Sequence, residues 1–80
     1  MKNNLDIIID SRLLRLELAE MRKNKNLTQA QVSERSGLSK STISNIECGE
    51  EKGVTLASIM KYARAIDCSI FIKNKERKDE

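Results

Sequence analysis

Histidine and tryptophan are absent from this 80-residue chain, and it has only one tyrosine, one phenylalanine and two cysteines. A structural zinc site takes about four thiolate or imidazole ligands. Cys48 and Cys68 lie far apart in the sequence and form no CxxC pair, so we expect neither a metal site nor a cofactor. Nothing suggests export, which predicts reduced thiols in a cytoplasmic protein. With so few aromatic residues, aliphatic side chains must build the core.

Long apolar runs are also missing. The candidate at residues 7–9 is three isoleucines with an acid on each side, which is too short for a signal peptide or a membrane span. We therefore expect no membrane partner. A chain of this length forms one domain with a small core and no room for a deep catalytic cleft.

Basic residues are concentrated in one part of the chain. Residues 22–46 contain five bases and one acid, whereas the remainder contains ten bases and eleven acids. The net charge of +3 is too small to indicate nucleic-acid binding by itself, so the local excess is the more informative feature.

Apolar spacing and capping residues predict four helices between residues 11 and 67. Asp10 or Ser11 caps the first, Thr28 begins the second with a Thr-x-x-Gln capping box, Ser39 caps the third, and Thr55 caps the fourth. Gly37 and Gly49 end the second and third helices. The stripes predicted to face the core are Leu13, Leu14, Leu16, Leu18 and Met21 in the first helix, and Leu56, Ile59, Met60, Ala63 and Ile66 in the fourth.

Both ends of the chain differ from this pattern. In residues 1–10 the apolar side chains Leu5, Ile7 and Ile9 alternate along the sequence, and residues 7–9 are three consecutive isoleucines. This segment is predicted to be an N-terminal arm or a short strand. Residues 68–73, CSIFIK, alternate apolar and polar positions and predict a C-terminal strand. Residues 74–80 are all polar or charged and predict a disordered tail.

Residues 39–47 have helical spacing, but their outward side is almost entirely hydroxyl groups, one lysine and one amide. Two short helices joined around Gly37, the second with a polar outer face, form a helix-turn-helix arrangement. Such a helix is slim enough to enter the DNA major groove, about 12 Å wide. A polar helix face is more often plain solvated surface, and only the surrounding pattern favours DNA binding.

The segments LTQAQVSERSGLSKSTISNIECG (27–49) and TLASIMKYARAI (55–66) resemble regulators of the lambda-repressor, Cro and xenobiotic-response-element type. The resemblance spans residues 11–67 and implies a mainly α, four-helix DNA-binding domain. It assigns base reading to Lys40, Ser41 and Asn45. It assigns phosphate contacts to Thr28, Gln29, Ser39 and Thr42. It also implies a partly buried ion pair between Arg22 and Glu47.

The chain departs from that family in two places. Relatives often have bases and a proline in the loop after the third helix, whereas this loop reads EEKG, so Lys52 is the expected phosphate clamp there. Asp67 stands where a helix-ending glycine is common. A narrower resemblance, in YARAIDCSIFI (62–72), is to HigA-like antitoxin autorepressors, which pair with RelE-like ribonuclease toxins.

These patterns predict a sequence-specific repressor of double-stranded DNA that acts as a homodimer on a palindromic operator. Ile70, Phe71 and Ile72 are the expected dimerisation residues. The alternative is a protein-interaction module, such as a toxin-neutralising partner, that does not read DNA sequence. An enzyme is not expected: the Ser58–Lys61 match to S-x-x-K has only two fixed letters, and no histidine is available for acid–base chemistry.

Overall fold

The computed structural model describes the backbone of residues 4–71 and the side chains of residues 12–71. Four α-helices follow one another: α1 (Asn4–Asn24), α2 (Gln29–Ser36), α3 (Lys40–Cys48) and α4 (Leu56–Ala65). Helices α1 and α2 both contact α3 and α4. The predicted mainly helical, four-helix domain is therefore confirmed.

The helix ends follow from local chemistry. Thr28 and Thr55 each form a complete capping box, with Gln31 and Ser58 as their respective partners. In each box the Thr hydroxyl accepts from the partner's backbone N–H, and the partner's side chain accepts from the Thr backbone N–H. Ser39 caps α3 through the Thr42 N–H. Gly37 and Gly49 end α2 and α3 at φ +81° and +84°, in the left-handed region where glycine is strongly favoured. Asp67 takes the same region, at φ +59°, just after α4.

The core consists of aliphatic residues around one buried phenol. Tyr62 of α4 is completely buried among Leu18, Val32, Ile43, Ile46 and Ile66, with Ile59, Ala63 and Ala65 at its edges. The stripe predicted for α4 is partly wrong: Ile59, Ala63 and Ile66 are buried as expected, but Leu56 and Met60 are 69% and 47% exposed. Periodicity finds an apolar stripe but does not decide which of two adjacent rows of side chains lies against the core.

The stripe predicted for α1 is also partly wrong. Leu18 is buried and Leu14 half-buried, but Leu13, Leu16 and Met21 are exposed. Two arginines, Arg15 and Arg22, are buried on this helix instead. Arginine can occupy such positions only when its charge and donors are paired.

The predicted ends of the chain need correction. Helix α1 already begins at Asn4, so residues 4–10 are helical and do not form the expected arm or strand. Residues 68–71 are irregular and do not form the predicted C-terminal strand over this range. Since residues 4–10 are helical, they offer no strand with which this segment could pair. Within residues 4–71 there is no strand. Residues 1–3, the rest of the predicted strand with Ile72, and the tail at 74–80 lie outside the described residues.

Three further expectations concern chemistry or the membrane. Ser58 of the S-x-x-K sequence is buried, and its hydroxyl serves the capping box of α4, which leaves it no exposed nucleophile role. Cys48 and Cys68 are free thiols. Over the part of the chain that the structure describes, no helix is both long and apolar enough to cross a membrane.

Candidate nucleic-acid interface

The turn between α2 and α3 fixes the angle between these helices. The Ser33 hydroxyl donates to the Leu38 carbonyl at 2.6 Å, and the Ser36 hydroxyl accepts from the Leu38 N–H at 3.0 Å. The Gly37 N–H donates to the Ser33 carbonyl at 2.9 Å. Small hydroxyl side chains thus bond the three-residue turn to the end of α2, in the arrangement expected of a helix-turn-helix.

The N-terminal half of α3 faces solvent with short polar groups. Lys40 and Ser41 are exposed, and within the described residues neither side chain has a protein hydrogen-bond partner. Ser39 and Thr42 are less available, because the Ser39 hydroxyl accepts from the Thr42 N–H and donates to the Thr42 hydroxyl at 3.0 Å. We call α3 the reader helix, after the base-reading role that the sequence predicts for it, and its freely exposed positions are Lys40 and Ser41.

Asn45 is placed differently from Lys40 and Ser41. It is half-buried, and its Nδ2 donates to the Lys52 carbonyl at 2.8 Å. The amide donor that was expected to face a base edge is therefore engaged with the loop that follows the reader helix. Sequence spacing gave no signal of this bond, since Lys52 is seven residues away and contributes its backbone.

Glu47, at the C-terminal end of the reader helix, is bonded to all three other helices. Arg22 of α1 donates to it through Nε and Nη2, at 2.6 and 3.0 Å. Gln29 of α2 donates through Nε2 at 2.9 Å, and the Tyr62 hydroxyl of α4 also donates. The expected Arg22–Glu47 ion pair is thus present as part of a larger group that we call the Glu47 hub: Arg22, Gln29, Glu47 and Tyr62.

The charge states of the Glu47 hub follow from these bonds. Burial alone would raise the pKa of Glu47, but hydrogen bonds from Arg22, Tyr62 and Gln29 outweigh it, and the pKa is lowered. The hydrogen bond to Glu47 raises the pKa of Arg22. Burial, and then the hydrogen bond to Glu47, raise the pKa of Tyr62. At neutral pH the hub therefore contains a carboxylate, a guanidinium and a neutral phenol.

The expected phosphate contacts fall into two groups. Thr28 and Lys52 are exposed, and Thr28 stands at the N-terminus of α2, where backbone N–H groups attract anions. Gln29, by contrast, is half-buried with its amide directed to Glu47. Loop and reader helix lie side by side, since a Cβ built on Gly53 would come within 3.4 Å of the Thr42 hydroxyl oxygen.

A family model described as helix-turn-helix matches residues 18–72. This span is more than half of the chain and contains the turn, the reader helix and the Glu47 hub. The chain belongs to the lambda-repressor, Cro and xenobiotic-response-element type helix-turn-helix family. No curated protein and no solved structure gives a significant match.

Membership of this helix-turn-helix family makes the chain a DNA-binding regulator. The HigA-like branch is not distinguished by the family match, which describes the broader group.

Two residues that the sequence did not single out emerge only from the structure: Tyr62, in the hub, and the buried Arg15. Their partners lie 15 to 35 positions away in the chain, beyond the reach of any local pattern.

Proposed function

We propose that the chain is a sequence-specific repressor that binds double-stranded DNA with its reader helix in the major groove. One observation carries this proposal: the N-terminal half of α3 is polar and exposed, while its C-terminal half is fixed to three other helices through Glu47. A surface that reads base edges needs side chains that are free to bond DNA on a backbone that does not move.

Within this proposal Lys40 and Ser41 are the principal base-reading residues. A lysine can donate to the acceptors on guanine, and a hydroxyl can donate or accept. Asn45 belongs to the reading face only through the part of its amide that does not bond Lys52. Thr28, Gln29, Ser39, Thr42 and Lys52 are proposed to contact phosphate, which positions the helix without specifying sequence.

Selection of bound oligonucleotides by the purified protein, followed by footprinting, tests this function. We expect one preferred sequence with two protected half-sites about 34 Å apart, one turn of B-DNA. Binding should weaken steeply as salt increases. Enrichment of no sequence, together with no measurable duplex binding at low salt, would refute the repressor and favour the protein-interaction module.

We further propose that the repressor is a homodimer, because one reader helix contacts too few base pairs for a useful specificity ratio. Phe71 is 86% exposed and follows Ile70, which packs partly against the core. Ile70 and the exposed Met60 line the same concave surface. An exposed phenylalanine next to a residue that lines this surface supports a contact with a second copy there.

Light scattering at high micromolar concentration tests the dimer. The parent protein should have twice the mass of the chain, and Phe71→Asp should be a monomer with much weaker operator binding. Leu13→Asp is the matched control, because it places the same charge on an exposed apolar position of α1 and should remain dimeric. A monomeric parent protein would refute the dimer.

A second candidate role is that of an antitoxin that represses its own operon. It is favoured by the resemblance of residues 62–72 to HigA-like proteins. Reading the gene beside this one and co-expressing its product tests the role: a RelE-like ribonuclease that co-purifies with the chain would support it. A neighbouring gene of another class, or a ribonuclease that does not bind, would leave the repressor without this role.

A further inference from the structure

Arg15 is a buried arginine whose donors point to the last turn of the reader helix and to the loop that follows it. Only 2% of its surface is exposed. Its Nε donates to the Ile46 carbonyl at 3.1 Å, and its Nη2 donates to the Asn45 carbonyl at 2.9 Å and to the Glu50 carbonyl. A cation on α1 thus bonds the last turn of α3 and the first residue beyond Gly49.

The bonding pattern of Arg15 requires a guanidinium group. Carbonyls in the last turn of a helix carry the negative end of its dipole, so a cation is favoured there. The Asn45 carbonyl also accepts from the N–H groups of Gly49 and Glu50, and Arg15 adds to these backbone bonds. Arginine provides five N–H donors in a rigid planar fork, whereas lysine provides a single ammonium group. Arg15 therefore reaches three carbonyls from a single side chain, and its Nη1 also lies 3.5 Å from the exposed carboxylate of Glu51.

The loop after the reader helix is held by hydrogen bonds to two of its backbone carbonyls. Arg15 binds the carbonyl of Glu50, and Asn45 Nδ2 binds the carbonyl of Lys52. The Lys52 backbone is thereby fixed relative to α1 and α3, while its side chain is exposed. Arg15 itself is enclosed by protein, so its own charge cannot reach a phosphate.

We propose that Arg15 is a positioning residue for DNA binding, which holds the end of the reader helix and the loop so that Lys52 meets a phosphate. The inference rests on the proposed function, in which Lys52 is a phosphate clamp. It adds that part of the DNA affinity depends on a basic residue that never touches DNA.

A double-mutant cycle with a random-sequence DNA duplex tests Arg15 without knowledge of the operator. The affinity of the parent, Lys52→Ala, Arg15→Gln and the double variant is measured against salt concentration. Loss of one phosphate contact lowers the log–log slope by about one unit. We expect each single variant to lose about one unit and the double variant to lose no more than either one.

An additive result would overturn the proposal. If Arg15 bound phosphate itself, the double variant would lose about two units. If Arg15 only stabilised the fold, Arg15→Gln would leave the slope of the folded protein unchanged. A slope unaffected by Lys52→Ala would also overturn it, whereas the proposed function would still be supported if Lys40→Ala weakened binding to the selected operator.

Arg15→Lys keeps the inference testable if Arg15→Gln fails to fold. The lysine keeps the positive charge and most of the apolar stem, but its single nitrogen cannot occupy the positions of both Nε and Nη2, from which Arg15 reaches the three carbonyls. We expect it to lose the same slope unit as Arg15→Gln, together with amide chemical-shift changes concentrated in residues 45–53. A parental slope in the folded Arg15→Lys variant would show that charge alone is sufficient and would refute the positioning role.

Discussion

The two halves of the reader helix differ in how they are held. At the N-terminal half, Lys40 and Ser41 are exposed and bond no protein group among the described residues. At the C-terminal half, Glu47 is bonded to α1, α2 and α4, and Arg15 holds the last carbonyls. A short helix can therefore present free side chains in one half because its other half is fixed in place.

The largest expected effect of a substitution is at the fixed half. Glu47→Gln should lower the free energy of unfolding by on the order of 3 kcal/mol, because it leaves Arg22 without its counterion in a mostly buried position. Urea denaturation measures this. Glu34→Gln, at an exposed position of α2, is the control and should change stability by less than about 0.5 kcal/mol. Equal effects of the two substitutions would remove the distinction between the halves.

The free half should show the opposite behaviour. Lys40→Ala and Ser41→Ala should each weaken binding to the selected operator by about 1–3 kcal/mol, as expected for a lost base contact. Their free energies of unfolding should stay within about 0.5 kcal/mol of the parent. A fluorescence-anisotropy titration beside a urea curve separates the two quantities, and unchanged operator affinity would show that these residues do not read bases.

Gln29 tests the boundary between the halves, since it is a proposed phosphate contact whose amide bonds Glu47. Gln29→Ala should lower the free energy of unfolding by about 1.5 kcal/mol, through loss of a half-buried hydrogen bond to a charged group. It should also weaken binding to operator and random duplex by the same factor. If only stability fell, Gln29 would belong wholly to the Glu47 hub.

The contribution of the Glu47 hub to the free energy of unfolding should decrease gradually as the pH falls. The pKa of Glu47 is lowered in the folded protein, so its contribution is present above its ordinary value, about 4.3, and is lost as pH falls through the folded value. The stability gap between the parent and Glu47→Gln should therefore be largest near neutral pH and narrow in acid. A gap that stayed constant from pH 7 to pH 3 would contradict the role of the Glu47 charge.

Local features of the fold could be predicted from the sequence. The caps at Thr28, Ser39 and Thr55 and the glycine at 37 depend on residues within three or four positions, so their spacing identifies them. The start of α1 at Asn4 could not be found in this way, because the β-propensity of three isoleucines is a weak preference that context overrides.

The basic excess of residues 22–46 shows where sequence reasoning about charge is insufficient. Arg22 bonds Glu47, Lys25 donates to the Ile66 carbonyl at 2.6 Å, and Arg35 donates to the Ala65 carbonyl at 3.3 Å. Most of the local excess therefore joins helices or binds the C-terminal carbonyls of α4. Of the bases proposed to contact DNA, only Lys40 lies in this segment.

The residues that hold the reader helix were the hardest to predict. The Arg22–Glu47 pair followed from a family resemblance. The sequence predicted no role for Arg15 or Tyr62, although Tyr62 lies within the segments 55–66 and 62–72 that resemble known regulators. Buried arginine is rare, so an arginine in an apolar stripe is normally assigned to the surface. Only the three-dimensional fold brings Arg15 to a carbonyl 31 positions away.

The short lengths of the last three helices affect how the protein folds. Helices α2, α3 and α4 have eight, nine and ten residues, below the length at which an isolated helix is stable in water. Glu47 of the reader helix accepts hydrogen bonds from α1, α2 and α4. The reader helix is therefore fully stabilised only when α4 has joined the bundle. A nascent chain on the ribosome should therefore be unable to recognise DNA until Tyr62 has emerged, and amide hydrogens of α3 should exchange with solvent only through global unfolding.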